Sequence, residues 1–279
     1  MFVPLRNYTQ FTIHESILRL DRWLNWLKEN QINAAAITDK NNCFGLVQFY
    51  QAALSKKIKP IIGAHVQCNL NARPNSSADL LIYAKNYRGY QNLSNWISKW
   101  YAQERPNGLD LKFCLENAHD LMLICPPESI DMLIQSGVDL WKGAFEDRLL
   151  FGIERYPNDA VVYQKSIECL QKAASVQVPA IVCNRAFFES PEDFNIQQIK
   201  NCIQEGYYLQ DESRAVNHKP SYCLYPPHVI QELFSDCPDV IENTHRFAQK
   251  CTVELTLGKA MLPQFAKDEN MTLRQQSIA

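Results

Sequence analysis

Apolar positions along this chain come in short blocks that alternate between two periods. FVPLRNYTQFT, residues 2–12, has a period of two and reads as a strand: Val3, Leu5 and Asn7 share one parity, and Pro4, Arg6, Tyr8 and Gln10 the other. Over 15–30, ESILRLDRWLNWLKEN sets Ile17, Leu20, Leu24 and Leu27 on one helical stripe, with Trp23 beside it. INAAAITD (32–39) is apolar on both faces, as a buried parallel strand requires. Gly45 to Leu54 reads as a helix and KPIIGAHVQC as the next strand. DLLIYA (79–84), the helix GYQNLSNWISKWY, DLMLIC (120–125) and a helix near 129–136 follow. DRLLFGIE (147–154), a helix near 159–175 and VPAIVCN (178–184) complete the alternation.

Seven strands separated mostly by helices give the crossovers that parallel strands need. The pattern predicts an α/β fold, a distorted parallel (β/α)7 barrel that is closed or nearly so, with an open doubly wound sheet as the alternative. Ligand sites lie beyond the C-terminal strand ends in both architectures.

After the seventh strand the pattern becomes helical. Ser190-Pro191-Glu192-Asp193 is a strong helix start, with Ser as cap, Pro in the first turn and acids beside it. Helices are expected at about 191–204, 227–235 and 238–250. Residues 1–189 read as the barrel, and 190–260 as a helical cap completing the same domain. Residues 261–279 read as an exit linker followed by the start of another helix capped by Thr272, the pattern of a longer natural protein.

Composition narrows the class. No apolar run approaches the roughly 20 residues of a membrane span, and the N-terminus lacks a signal-peptide layout, so a cytoplasmic protein is expected. The ten cysteines are scattered without a CxxC pair, several within apolar runs such as LMLIC and AIVCN. They read as buried thiols of a reducing compartment rather than a zinc site or a disulfide scaffold. A net charge of −2 with only short basic clusters leaves little for direct nucleic-acid binding.

Chemistry is sought at the strand ends. These deliver Arg6, Tyr8 and Gln10; Thr38, Asp39, Lys40 and Asn41; His65; Cys125 and the two prolines after it; Glu154 and Arg155; and Asn184, Arg185 and Phe187. A hydrolytic metal site needs several His and carboxylate ligands facing one point. The candidates are His65, Asp39 and Glu154, opposed by Arg6, Lys40, Arg185 and Arg155, whose charge would repel a metal. No nucleophile elbow, phosphate-binding loop or dinucleotide motif occurs. His14, His119, His218, His228 and His245 read as surface or capping residues.

These strand ends carry a family pattern. FVPLRNYTQFT, AITDKNNCFGLVQFYQAALSKKIKPIIGAHV, YAKNYRGYQNLSNWIS, VPAIVCNRAFF, SPEDFNIQQIKNCIQEG and LGKAMLPQF resemble successive segments of the N-terminal PHP (polymerase and histidinol phosphatase) domain of bacterial DNA polymerase III alpha subunits. The resemblance covers essentially the whole chain. Many such domains bind a small metal cluster and hydrolyse phosphoesters. The resemblance implies systematic departures from that site here. The two histidines and the aspartate of the opening motif fall at Arg6, Tyr8 and Gln10. The next histidine falls at Lys40, beside Asp39. The glutamate of the third strand falls at His65 and a further histidine near Asp79. The cysteine falls near Pro127, and the final aspartate and histidine at Arg185 and Phe187. Only His65 and Asp79 retain ligand character, so no metal cofactor is expected.

Arg6, Lys40 and Arg185 are expected to enter the pocket and pair with Asp39, Asp79 or Glu154. The function implied is a non-catalytic scaffold that joins the polymerase region of the same chain and docks the proofreading exonuclease subunit of the replicase. Trp96, Trp100, Tyr101, Tyr207 and Tyr208 are candidate partner contacts. A metal-dependent phosphoesterase or pyrophosphatase with a reduced site is the alternative. A small-molecule barrel whose Arg6, Tyr8 and Arg185 take a phosphate or carboxylate is a third reading.

Overall fold

Alternation along the central strands sorts the apolar side chains into one set inside a barrel and another beneath the surrounding helices. The computed structural model describes residues 2–13, 15–70, 77–102, 108–211 and 218–258; the expected exit linker at 261–279, with Thr272, and His14 lie outside these. The strands are β1 (Arg6–Asn7), β2 (Ala34–Ile37), β3 (Lys59–Asn69), β4 (Ser77–Ala84), β5 (Leu109–Asp110), β6 (Leu121–Cys125), β7 (Leu149–Ile153), β8 (Ala180–Val182) and β9 (Arg185–Ala186). The main sheet runs β2-β3-β4-β6-β7-β8, with β5 added on β3. β1 joins its two ends. Pro4 and Asn7 carbonyls accept from Ala36 and Thr38 N–H on one side, and β1 pairs in parallel with β9 on the other.

The fold is α/β, but the sheet is mixed rather than wholly parallel. β4 runs antiparallel to both β3 and β6. The segment between Asn69 and Ser77 is too short for a crossover helix, so the chain must return antiparallel. The start of β4 therefore lies at the same end of the barrel as the C-terminal ends of the parallel strands. Asp79 pairs in register with Gln67, two residues beyond His65.

β1 departs from simple alternation. Its bonds to β2 come from Pro4 and Asn7, three residues apart, and reach Ala36 and Thr38, two apart. One extra residue is thus accommodated, a β-bulge, and the Asn7 side chain steadies it by donating to the Pro4 and Ala36 carbonyls. The bulge shifts the phase. Val3 and Leu5 pack with the barrel-interior residues Ile61, Leu81 and Tyr83, and Arg6 and Tyr8 also face that interior. Strict alternation had put them on opposite faces.

The helices are α1 (Leu20–Glu29), α2 (Leu46–Ser55), α3 (Tyr87–Tyr101), α4 (Leu111–Glu116), α5 (Ile130–Gln135), α6 (Val138–Phe145), α7 (Ala160–Ser175), α8 (Phe194–Glu205), α9 (Pro227–Leu233) and α10 (Asp239–Lys250). α4 and α6 were not expected from the sequence; α6 follows α5 after only two residues, so the two read as one stretch. α1 starts later than its stripe predicts because the N–H groups of Ile17 and Leu18 both donate to the Phe187 carbonyl. That pins residues 15–18 to the strand side. Ser190 caps the helix as expected, and its pairing with Asp193 completes a capping box. α10 closes the barrel base: Thr244 Oγ1 accepts from Val3 N–H, and Phe247 meets Tyr83 edge-on at 4.9 Å. Arg155 does not enter the barrel mouth. Its fully buried guanidinium binds Asp236, the Leu233 carbonyl and Ser166, tying the segment between α9 and α10 to α7. Among the described residues no helix is long and apolar enough to cross a membrane.

At Gly152 the packing leaves no room for a side chain. A Cβ there would sit 2.8 Å from Cys183 Cβ and 3.0 Å from its Sγ. Gly152→Ala is expected to cost roughly 1–3 kcal/mol through overpacking, read as a lower urea midpoint with an unchanged slope. An unchanged midpoint would mean that Cys183 gives way freely.

Candidate functional site

Three strand ends and one loop bring four opposite charges together at the barrel mouth. The bulge in β1 turns Arg6 inward, Glu154 follows β7, Arg185 opens β9, and Glu128 follows the two prolines after β6. Arg6 Nη1 donates to Glu154 Oε1 at 2.8 Å, and Nη2 to Glu128 Oε1 at 2.6 Å. Arg185 donates through Nε and Nη2 to the two Glu154 oxygens at 2.9 and 3.0 Å, and through Nη2 to Glu128 Oε2 at 3.0 Å. All four carboxylate oxygens are therefore occupied by guanidinium N–H groups. Arg6 is 1% exposed, and the Arg185 guanidinium also lies over the Tyr222 ring.

The electrostatics follow from this geometry. Burial works against both guanidinium charges, but the carboxylates outweigh it and hold Arg6 and Arg185 above the usual arginine range. Burial alone would raise Glu128, yet the two arginines pull it well below the ordinary glutamate value. Such pairs survive burial only when every lone pair and donor is engaged.

A second chain of contacts runs off Arg6. Its Nε donates to Tyr8 Oη at 2.7 Å, and Tyr8 Oη lies 2.9 Å from His65 Nδ1. Burial raises the Tyr8 pKa, so the phenol keeps its proton. With its oxygen accepting from Arg6, it donates that proton to Nδ1, which assigns the His65 proton to Nε2. Nε2 lies 3.0 Å from Asp79 Oδ1 but makes no aligned hydrogen bond, so proximity of charge and dipole holds this pair. Burial lowers the His65 pKa against the pull of Asp79. Burial would raise Asp79; contacts with His65 and Gln67 bring it down to about 2.

The other expected pocket residues divide. Phe187 is buried and stacks on Tyr8 at 4.4 Å, with His218 edge-on to its other side. Asp39 does not pair with a cation. Its carboxylate accepts from Thr9 N, Thr9 Oγ1 and Thr12 Oγ1 at 2.6–2.7 Å, which staples the loop after β1 to the end of β2. Lys40 stays at the rim, bound to Glu15 at 2.6 Å. Gln10 is exposed, because the chain turns away after Thr9. Pro127 faces a groove between α5 and α7. Glu128, the next residue, is the one that enters. An acid directly after a strand-ending proline pair was the available signal. His218, read from sequence as a surface residue, is buried beside Asn201.

The residues present do not fit a metal cluster. Glu128 and Glu154 have no free oxygen, and two guanidinium charges occupy the space between them. His65 and Asp79 are only two donors, and among the described residues no three His, Cys, Asp or Glu side chains gather as a metal would need.

Residues 4–177 match the PHP domain family. The chain is 29% identical over 287 residues to the DNA polymerase III subunit alpha of Pseudomonas fluorescens, covering 98% of this chain and 24% of that protein. It is 29% identical over 290 residues to the subunit of the same name from Escherichia coli (strain K12), covering 97% of this chain and 24% of that protein. The chain thus spans about a quarter of the length of these relatives. A solved amidohydrolase from Chromobacterium violaceum aligns with a TM-score of 0.46 at 8% identity, over 66% of this chain and 86% of that chain.

Glu154→Ala is expected to destabilise the chain by about 3–5 kcal/mol, because it leaves two buried guanidiniums facing a single carboxylate. Lys40→Ala, at a half-exposed pair, is expected to cost less than about 1 kcal/mol. Urea denaturation measures both, and equal losses would refute the cluster's dominance.

The pH profile has a definite sign. His218 is lowered by burial from 6.5 to about 4, and His65 shifts the same way. Their contribution is complete above pH 6.5 and is lost as pH falls toward 4. Glu128 and Asp79 are also lowered, so their contribution is complete above their unfolded values of 4.5 and 3.8 and is lost below them. Asp39, raised by burial, offsets part of the loss. The urea midpoint is expected to fall from about pH 6.5 downward and to steepen below about 4.5. A flat profile between pH 7 and 4 would contradict this.

Proposed function

This chain belongs to the PHP domain family, and from that premise we propose that it is a non-catalytic member serving as a scaffold in the alpha subunit of a replicative DNA polymerase. In this reading Arg6, Tyr8, Gln10, Asp39, Lys40, His65, Asp79, Pro127, Arg185 and Phe187 stand at or near the positions of a former metal pocket. The module supports the polymerase region of its own chain and docks the proofreading exonuclease subunit in the cytoplasm. The parent protein is then a DNA-directed DNA polymerase, while this module neither polymerises DNA nor binds it appreciably alone.

The observation that carries the reading is the Arg6–Glu128–Arg185–Glu154 cluster, in which every carboxylate oxygen accepts from a guanidinium. Two positive charges stand where hydrolysis would need a cation-binding pocket, and four salt-bridged groups fix the strand ends instead. The similarity to polymerase III alpha subunits supports the wider role. The competing reading, a reduced metal phosphoesterase or pyrophosphatase, draws on His65 Nε2, which is buried without an aligned partner.

The test is direct. The purified chain, incubated with manganese, zinc or magnesium and bis(p-nitrophenyl) phosphate or pyrophosphate, is expected to release no product above the protein-free rate. It is also expected to co-elute with the exonuclease subunit of its replicase on size exclusion. Metal-dependent turnover abolished by His65→Ala would establish the phosphoesterase, and failure to co-elute would remove the docking role.

A further inference from the structure

The cap helix α8 carries its polarity inside out. Gln197, Gln198 and Asn201 are buried against the molecule, and Lys200 turns inward to the Ser16 carbonyl. The polar contact is only partly satisfied. Gln197 donates to Asn201, while Gln197 Oε1 and Gln198 Nε2 have no partner. Facing out are Ile196, Ile199 and Ile203, followed by Tyr207, Tyr208 and Leu209. Ile203 is 78% exposed and Tyr208 80%.

A helix that served only to cover the barrel would place its apolar stripe inward. Here the i, i+3, i+7 spacing of the three isoleucines makes a continuous ridge directed at solvent. Large side chains in a contiguous exposed patch mark an interaction surface rather than scattered surface residues. Along its own described segment, 192–211, the exposed charges that flank the ridge are acidic. Glu192 lies four residues before Ile196, in line with the stripe. Glu205 and Asp211 stand near the other end, and the helix's own cation, Lys200, is engaged elsewhere.

We propose that this face of α8 docks an amphipathic helix of another polypeptide, one with an apolar stripe and basic residues at its ends. The stripe of the partner helix packs along Ile196, Ile199 and Ile203, and its basic ends meet Glu192 and the acids beyond Ile203. Helix-in-groove recognition uses this anchor spacing, and complementary end charges set its orientation. The proposal stands on the helix alone and does not depend on the exonuclease-docking reading.

The probe is a fluorescein-labelled peptide of about 16 residues, matching the helix length with one further turn. It carries leucines at i, i+3 and i+7 on an alanine–glutamine background and two lysines at each end. Controls carry glutamates at the ends, or the same leucines in scrambled order. Fluorescence anisotropy is expected to show saturable binding of the lysine-ended peptide, with roughly tenfold weaker binding of each control. Ile199→Glu and Ile203→Glu are expected to weaken it at least tenfold while leaving the urea midpoint unchanged, since both side chains already face solvent. Glu192→Lys is expected to reduce the preference for lysine ends. Equal binding of the ordered and scrambled peptides, or indifference to Ile203→Glu, would overturn the proposal. A concentration-dependent dimer in sedimentation, dissolved by Ile203→Glu, would overturn it by assigning the face to a second copy of this chain.

Discussion

Two guanidinium groups share the mouth of this barrel only because two carboxylates lie between them. Arg6 and Arg185 repel each other, and burial strengthens that repulsion. Glu128 and Glu154 each contact both arginines, so the four groups form one neutral unit rather than two pairs. Three distant parts of the sequence supply the strand ends, and a loop supplies Glu128. The unit therefore fixes the relative positions of β1, β7 and β9 at the end where backbone pairing is thinnest. The aromatic layer of Tyr8, Phe187 and Tyr222 seals it from the side.

The path from sequence to this arrangement passes through two backbone irregularities. One is the bulge in β1. Parity counting grouped Arg6 with Tyr8 and correctly placed both at a strand end. It also put Val3 and Leu5 on the opposite face, and the structure places all four in the interior. An inserted residue is invisible to a period-two pattern unless glycine or proline marks it; Pro4 at the start of the bulge is that mark, and the steadying group is the amide of Asn7. The other irregularity is the antiparallel β4. Asp79 at a strand start looks remote from a site at strand ends until the strand direction reverses. The reversal was legible in the spacing of β3 and β4, which leaves no room for a crossover.

Side-chain destinations were legible where chemistry constrained them. Arg6 and Arg185 needed buried counter-charges, and Glu154 was an available one. Lys40 and Arg155 had the same sign but other choices. Lys40 reaches Glu15 at the rim, and Arg155 finds Asp236, the Leu233 carbonyl and the ring faces of Tyr163 and Phe234. A strand-end position alone does not choose between the mouth and the flank. The fold class itself came from the alternation of strand and helix periods. The elements α4, α6, β5 and β9 escaped: β5 and β9 are two residues long, too short to establish a period, and α6 follows α5 after only two residues.

The sharing of four carboxylate oxygens between two arginines also constrains how the sequence can change. Replacing either arginine alone strands a carboxylate, and replacing either glutamate alone strands a guanidinium, so each single step crosses an unstable intermediate. Variation at positions 6, 128, 154 and 185 should therefore be concerted, with strong epistasis among residues that lie far apart in the chain. A barrel held in this way can drift freely on its outer face while its mouth stays locked to one charge pattern.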